Sequence, residues 1–465
     1  MAPDRSERTP PREATSKSGV GPRRSRALAR GGRGWIGKRF SILGQLGPGL
    51  VTGASDDDPS GIATYSQAGA TFGLGLLWTS LLTLPLMAGV QEICDRTALA
   101  TGETLGELCR RRFAVWGRVV VASLLVLLLA ANALNVAADL VAIGAGVHLL
   151  HGGPVTLWAA IAGIAITLLL VTGSFTLIAN VFKVLCLALL AYVGVLFLSN
   201  PNWFQVASNT LVPHITLSSS YLVLFVAVLG TTISPYLFFW QNMHRVEDLR
   251  EEAPGGDEPL PLSKWPRRAG EAKERSSRFD VFAGMTLSNV VMFSIVVASA
   301  STLGRHGHPQ IHSASQAAAA LKPIAGSAAS LLFALGFIGS GMLAVPVLAG
   351  SAAAGAAGLL GKTSGFSQSI RKAPWFYGLV ALSTLGATAL SLADVNAIHL
   401  LVLCAELNGI VAAPLLAVVM LVADDKHIMK NYRNGPLARI IGWGTTLLMG
   451  AAAILLIATG GISLP

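Results

Sequence analysis

Three consecutive carboxylates, Asp56-Asp57-Asp58, stand inside a run of apolar and small residues that begins at Gly47-Pro48-Gly49 and continues through Pro59-Ser60-Gly61-Ile62. Ionisable side chains in such a run are expensive to bury and mark an ion or substrate pathway rather than a lipid-facing surface. Proline removes a backbone donor and clashes with the preceding turn, and Gly61 adds backbone freedom, so a helix through this stretch should unwind near Asp58 and Pro59. Unwinding frees carbonyl oxygens. On an intact helix consecutive side chains point about 100° apart, so three adjacent aspartates cannot address one ion together. An unwound stretch lets one carboxylate and nearby carbonyls do so, and such a set of oxygens suits a hard cation. For Asp56 and Asp57 a plainer role stands beside ion binding, as caps of a half-helix or groups in a watery vestibule; Asp58 is the stronger candidate ligand.

A second interruption is written into Gly230-Thr231-Thr232-Ile233-Ser234-Pro235-Tyr236. A lone proline in an apolar helix means little, but paired interruptions at matching places in two halves point to a site near the bilayer midplane. Further polar residues fall within apolar runs: Glu406 and Asn408, read equally well as pathway groups and as hydrogen-bonding groups between helices. Asn132, Asn135, Asn289, Gln91 and Glu92 read as interhelical or interfacial groups. His306, His308 and His312 read as part of a solvated loop, and the four scattered cysteines imply neither a disulfide framework nor a metal cluster.

The elements that must position these groups follow from hydropathy. The chain has 465 residues, is 52% hydrophobic and 12% charged, and has a mean hydropathy of +0.60, far more apolar than a water-soluble domain requires. Apolar runs long enough to cross the hydrocarbon recur at 46–69, 73–92, 119–147, 155–175, 179–199, 219–241, 280–302, 328–358, 375–393, 397–423 and 437–459, which makes eleven spans. With the N-terminus inside, 32 of the 34 Lys and Arg residues fall on the cytoplasmic side, and only Arg305 and Lys322 fall opposite. The net charge of +10 is therefore a topology signal and not a nucleic-acid footprint. The expected organisation is a disordered basic cytoplasmic tail and entry at 1–45, a first repeat at 46–199 (spans one to five), a second repeat at 200–423 (spans six to ten) carrying a flexible cytoplasmic loop at 242–279, and an additional span within 424–465. The tail has no short apolar core of the kind a signal peptide needs.

The stretch from Gly47 to Gly102, with Gly47-Pro48-Gly49, Asp58-Pro59-Ser60-Gly61 and Ala100-Thr101-Gly102, resembles the start of the natural resistance-associated macrophage protein (NRAMP) family. The likeness extends through Asp139, Ser234-Pro235 and Asp424-Asp425-Lys426-His427-Ile428-Met429, leaving out the basic tail and the charged loop. It implies an all-α membrane protein with a five-plus-five inverted repeat, like that of sodium-dependent amino-acid symporters, with spans one and six broken. It also implies proton-coupled import of divalent metal ions through a cell (inner) membrane. Carried over by position, the resemblance places Asp58, the carbonyl of Ser55, the carbonyl of Thr231 and the hydroxyl of Ser234 around the ion, with Asp57, Asp56 and Gly61 beside it. Asp139, Tyr236, Gln241, Glu406 and Asn408 then line the pathway or a proton route.

Departures from the family pattern sharpen the expectation. Gly61 replaces an asparagine ligand, Ser234 replaces a methionine, and Tyr236 and Gln241 replace the two histidines of span six. Loss of the thioether favours Mg²⁺ or Mn²⁺ over Fe²⁺ or Cd²⁺. The acidic residue expected three positions after Asp139 is Ala142, which leaves proton coupling open. No phosphate-binding loop, nucleophile elbow or zinc-protease motif is present, so an enzyme is not expected, and no cofactor is implied beyond the transported ion. Two rival readings remain: a cation-coupled symporter of a small organic solute with the same fold, and a membrane protein that senses metal without moving it.

Overall fold

The computed structural model describes residues 47–172, 190, 192–197, 199–216, 218–252, 258–302, 316, 329–393 and 396–459. The basic tail, most of span five, Cys186 and the three loop histidines lie outside the described residues. The described secondary structure is helical throughout. Among the described residues seven segments are long and apolar enough to cross a membrane, counting the interrupted Ser219–Glu251 as one, and Pro374–Leu390 is a shorter apolar helix.

Span one is two half-helices, α1 (Pro48–Asp56) and α2 (Pro59–Phe72). The chain then forms α3 (Thr79–Thr101), the short α4 (Leu105–Arg112), α5 (Val115–Leu149), α6 (Val155–Thr172) and α7 (Trp203–Leu211). Span six is again divided, into α8 (Ser219–Thr232) and α9 (Pro235–Glu251). The remainder is α10 (Arg267–Thr302), α11 (Ala329–Leu359), α12 (Pro374–Leu390), α13 (Ala397–Ala423), α14 (Lys426–Met429) and α15 (Pro436–Ala458).

Both breaks have one construction. Only Asp57 and Asp58 separate α1 from α2, and only Ile233 and Ser234 separate α8 from α9. In each case proline opens the second half-helix at its first position, where its missing donor is not needed. Proline alone does not decide the matter, because Pro85, Pro346 and Pro414 remain inside α3, α11 and α13.

The charged connector is largely helical, contrary to the expected flexible loop. α9 runs to Glu251 and α10 already begins at Arg267, well before the apolar part of its span. Pairs one turn apart, Arg267 with Glu271 at 2.9 Å and Arg278 with Glu274 at 3.1 Å, support this extension, and Lys273 reaches back to Asp248 at 2.7 Å. Span two is likewise displaced toward its C-terminus: residues 73–78 form turns, with Gly73 left-handed at φ 56°, and the helix continues through Asp95 and Arg96. Hydropathy reads those charges as the end of a span; buried partners let the helix keep them.

The divided spans are held among α3, α5, α10, α11 and α13, with α10 packed against both halves of span one and α13 against both halves of span six. Close approach there rests on missing side chains. A Cβ on Gly53 would collide with the Gly284 carbonyl of α10. Gly53→Ala is therefore expected to destabilise the fold by about 1–3 kcal/mol, the usual range for forced overpacking, read as a lower melting temperature of the purified protein; an unchanged midpoint would show that α1 can move away from α10 without loss.

Candidate functional site

Asp58 is the N-cap of α2 and is fully buried. Its Oδ1 accepts from the Gly61 amide at 2.8 Å and the Ser60 hydroxyl at 2.6 Å, which satisfies donors left bare by the break. Its Oδ2 faces other elements: Asn135 Nδ2 on α5 at 3.3 Å and the Tyr236 hydroxyl on α9 at 3.4 Å. The same phenol donates to the Ser55 carbonyl at 3.1 Å, at the C-terminal end of α1. One carboxylate oxygen thus belongs to the helix cap, and the other points where α1, α5 and α9 meet.

The second break closes on the first. A Cβ on Gly61 would stand 3.1 Å from the Thr231 hydroxyl, so the missing side chain lets the two interruptions touch. Ser234 Oγ donates to the carbonyls of Thr231 at 2.8 Å and Gly230 at 3.1 Å, covering acceptors released at the end of α8. Thr231 Oγ1 and Asn135 Oδ1 are buried without a hydrogen-bond partner.

The three aspartates diverge. Asp56 Oδ2 accepts from Ser288 on α10 at 2.8 Å, leaving Oδ1 without a partner, and neither oxygen of Asp57 has one. Among the described residues no group of three or more His, Cys, Asp or Glu side chains is placed to hold a metal ion. Any ion held here relies on one carboxylate supplemented by carbonyl, hydroxyl and amide oxygens.

The remaining candidates differ in their partners. Asp139, one turn beyond Asn135 on α5, is buried with both oxygens unpartnered and close enough to feel the charge of Asp58. Asn408 is buried with its amide unpartnered, and Glu406 is buried on the same helix. Gln241 lies elsewhere: it accepts from Thr52 and donates to Asp95 at 2.7 Å. Its position along α9, seven residues past Ser234, carries it away from the break and into a buried ionic cluster around Arg245.

In that cluster Arg245 pairs with Asp95 at 2.7 Å, Asp248 at 2.7 Å and Asp280 at 3.2 Å. Ser277 also donates to Asp95. Asp280 accepts from the backbone amides of Gly47, Gly49 and Leu50 at 3.1, 2.8 and 3.3 Å, which places a carboxylate on the N-terminus of α1. This cluster carries no signal in the sequence analysis, whereas Tyr236, expected on the pathway, and Asn135, expected between helices, both meet Asp58. Asn135 carried a usable signal, its spacing of one helical turn from Asp139. By contrast, Asn132 donates to the Leu348 carbonyl at 2.8 Å and Asn289 to the Ser80 carbonyl at 3.0 Å, as groups joining helices do.

Comparison with known proteins agrees with this geometry. Residues 49–459 match the family described as "Natural resistance-associated macrophage protein-like". A divalent metal cation transporter MntH of Yersinia pestis (strain Pestoides F) is 29% identical over 306 residues, spanning 64% of this chain and 69% of that protein. One of the same name from Verminephrobacter eiseniae is 26% identical over 435 residues, 91% of each chain. In structure, a manganese transporter of Eremococcus coleocola superposes with a TM-score of 0.72 at 16% identity, covering 92% of this chain and 88% of that one. The bundle with its two broken spans is an inverted-repeat membrane fold, and a family match running from the first half-helix to the last long helix places the molecule: this chain belongs to the natural resistance-associated macrophage protein-like family.

Proposed function

We propose that this chain carries divalent metal ions across a membrane by alternating access, with Asp58 as the charged ligand and a preference for Mg²⁺ or Mn²⁺. Its family is one of metal ion transporters and not of enzymes. The observation that carries the reading is the one carboxylate, Asp58, buried where two helix breaks meet, with the Ser55 carbonyl and the Tyr236 phenol beside it. Ser55, Ser234 and Tyr236 offer oxygen, and oxygen sets suit hard cations. Asp139, Glu406 and Asn408 line the route, and the ion enters the cell with the basic loops on the cytoplasmic side.

Symport of an anionic organic solute is less well supported. Such a substrate is anionic, and three adjacent carboxylates, Asp56, Asp57 and Asp58, stand at the first break and repel it.

Uptake of Mg²⁺, Mn²⁺ and Cd²⁺ into proteoliposomes tests the proposal. Mg²⁺ or Mn²⁺ uptake exceeding Cd²⁺ uptake is expected; strong preference for Cd²⁺ would refute it, and background uptake of all three with measurable bound ion would favour a sensor. Ser234→Met, which puts a soft thioether at the second break, is expected to shift the Cd²⁺-to-Mg²⁺ uptake ratio toward Cd²⁺ by about tenfold, equivalent to about 1.4 kcal/mol. An unaltered ratio would remove Ser234 from the ligand set.

A further inference from the structure

A cavity of about 670 Å³, remote from Asp58, is lined by charged side chains from three separate connectors. They are the segment around α4, the segment between α9 and α10, and the turn after α11, all assigned by charge to the same face of the membrane. Its cations are Arg110, Arg111, Arg118, Arg250 and Lys362. Its carboxylates are Glu103, Glu107 and Glu258, fewer than its cations: Glu103 pairs with Arg111, and Glu107 Oε2 accepts from the Thr104 amide at 2.8 Å in a capping box. Arg118 and Arg250 donate only to the carbonyls of Phe113 and Ser364, at 2.8 and 3.2 Å. Among the described residues no carboxylate stands within ion-pair distance of Arg110, Arg118, Arg250 or Lys362.

Arg110 is seated there by the backbone opposite. Gly361 is left-handed at φ 67°, and a Cβ on it would fall on the Arg110 guanidinium, so the turn after α11 accommodates an unpaired arginine. At the start of α5, Trp116 is 84% exposed and Val115 70%, beside Arg118, an aromatic and apolar edge of the kind found at the hydrocarbon–headgroup boundary.

We propose that this cavity binds a phosphate-bearing anion, with the headgroup of an acidic phospholipid as its occupant. The guanidinium forks of Arg110 and Arg118 suit the paired oxygens of a phosphodiester, and Lys362 adds a point charge. A basic pocket at a helix-lined membrane edge selects acidic over zwitterionic lipid because the latter's ammonium offsets the phosphate charge. The site is independent of the ion carried at Asp58.

Native mass spectrometry of the full chain, released from micelles doped with phosphatidylglycerol or phosphatidylcholine, tests this. Wild type is expected to retain phosphatidylglycerol preferentially, and R110Q/K362Q to weaken that retention by about tenfold or more. R110K, which keeps the charge, is expected to retain most of it, separating loss of charge from loss of fold. R371Q, an exposed cation outside the cavity, is expected to retain lipid like wild type. Inorganic pyrophosphate added as competitor should displace the lipid; pyrophosphate binding without lipid retention keeps the phosphate site and assigns it to a soluble ligand. Equal retention of the two lipids, retention unaffected in R110Q/K362Q, or an equal loss in R371Q would overturn the proposal.

Discussion

Asp58→Ala is expected to abolish metal binding by calorimetry, with Mg²⁺ and Mn²⁺ titrated in parallel and affinity falling by at least about 100-fold, or about 3 kcal/mol. A divalent ion in a buried site needs a counter-charge, and Asp58 is the aspartate whose carboxylate faces Asn135 and Tyr236 where the elements meet, while Asp56 is turned to Ser288. The substitution also removes the cap on Gly61 and Ser60, which should destabilise the chain by about 1 kcal/mol. Asp58→Asn separates the two effects, because asparagine caps a helix as well as aspartate but carries no charge. Binding should be lost in both variants, and thermal stability chiefly in the alanine variant. Retained affinity in Asp58→Asn would mean that the ion is held elsewhere.

The second large effect is expected at Arg245, whose side chain is only 3% exposed. Arg245→Ala leaves Asp95 and Asp280 as buried carboxylates without their cation, and breaking a buried pair from one side destabilises by about 3–5 kcal/mol. The damage should spread, because Asp280 holds the first amides of α1 and Asp95 holds Gln241. Arg245→Lys should recover only part of the loss, since an ammonium cannot reproduce directed contacts to three carboxylates. Denaturation midpoints of the two variants against wild type check this. A midpoint for Arg245→Ala close to that of wild type would show that water reaches the cluster and that the pairs contribute little.

The positions of the breaks were legible in the amino-acid order because their cause is local. Proline ends a helix only where the freed groups find partners, and the residue just before each proline, Asp58 or Ser234, carries a side chain that reaches them. Pro85, Pro346 and Pro414 follow Leu84, Val345 and Ala413, which offer no such partner, and their helices run on. The apolar runs were legible for a similar reason, since they reflect what each segment meets in a bilayer, and little of that depends on the rest of the fold.

The partners of those local features were decided only by tertiary structure. Tyr236 meets Asp58 across 178 residues and Asn135 meets it across 77, separations over which no periodicity carries information. Gln241 looked like a pathway group until its neighbours proved to be Thr52 and Asp95. The charged stretch before α10 looked like a loop because hydropathy registers charge as solvent, yet α10 is helical from Arg267 and Lys273 is tied to Asp248. A sequence states which groups need a partner, since burial makes an unpaired polar group costly; which group supplies it depends on how distant helices pack, and that is settled by the whole bundle at once.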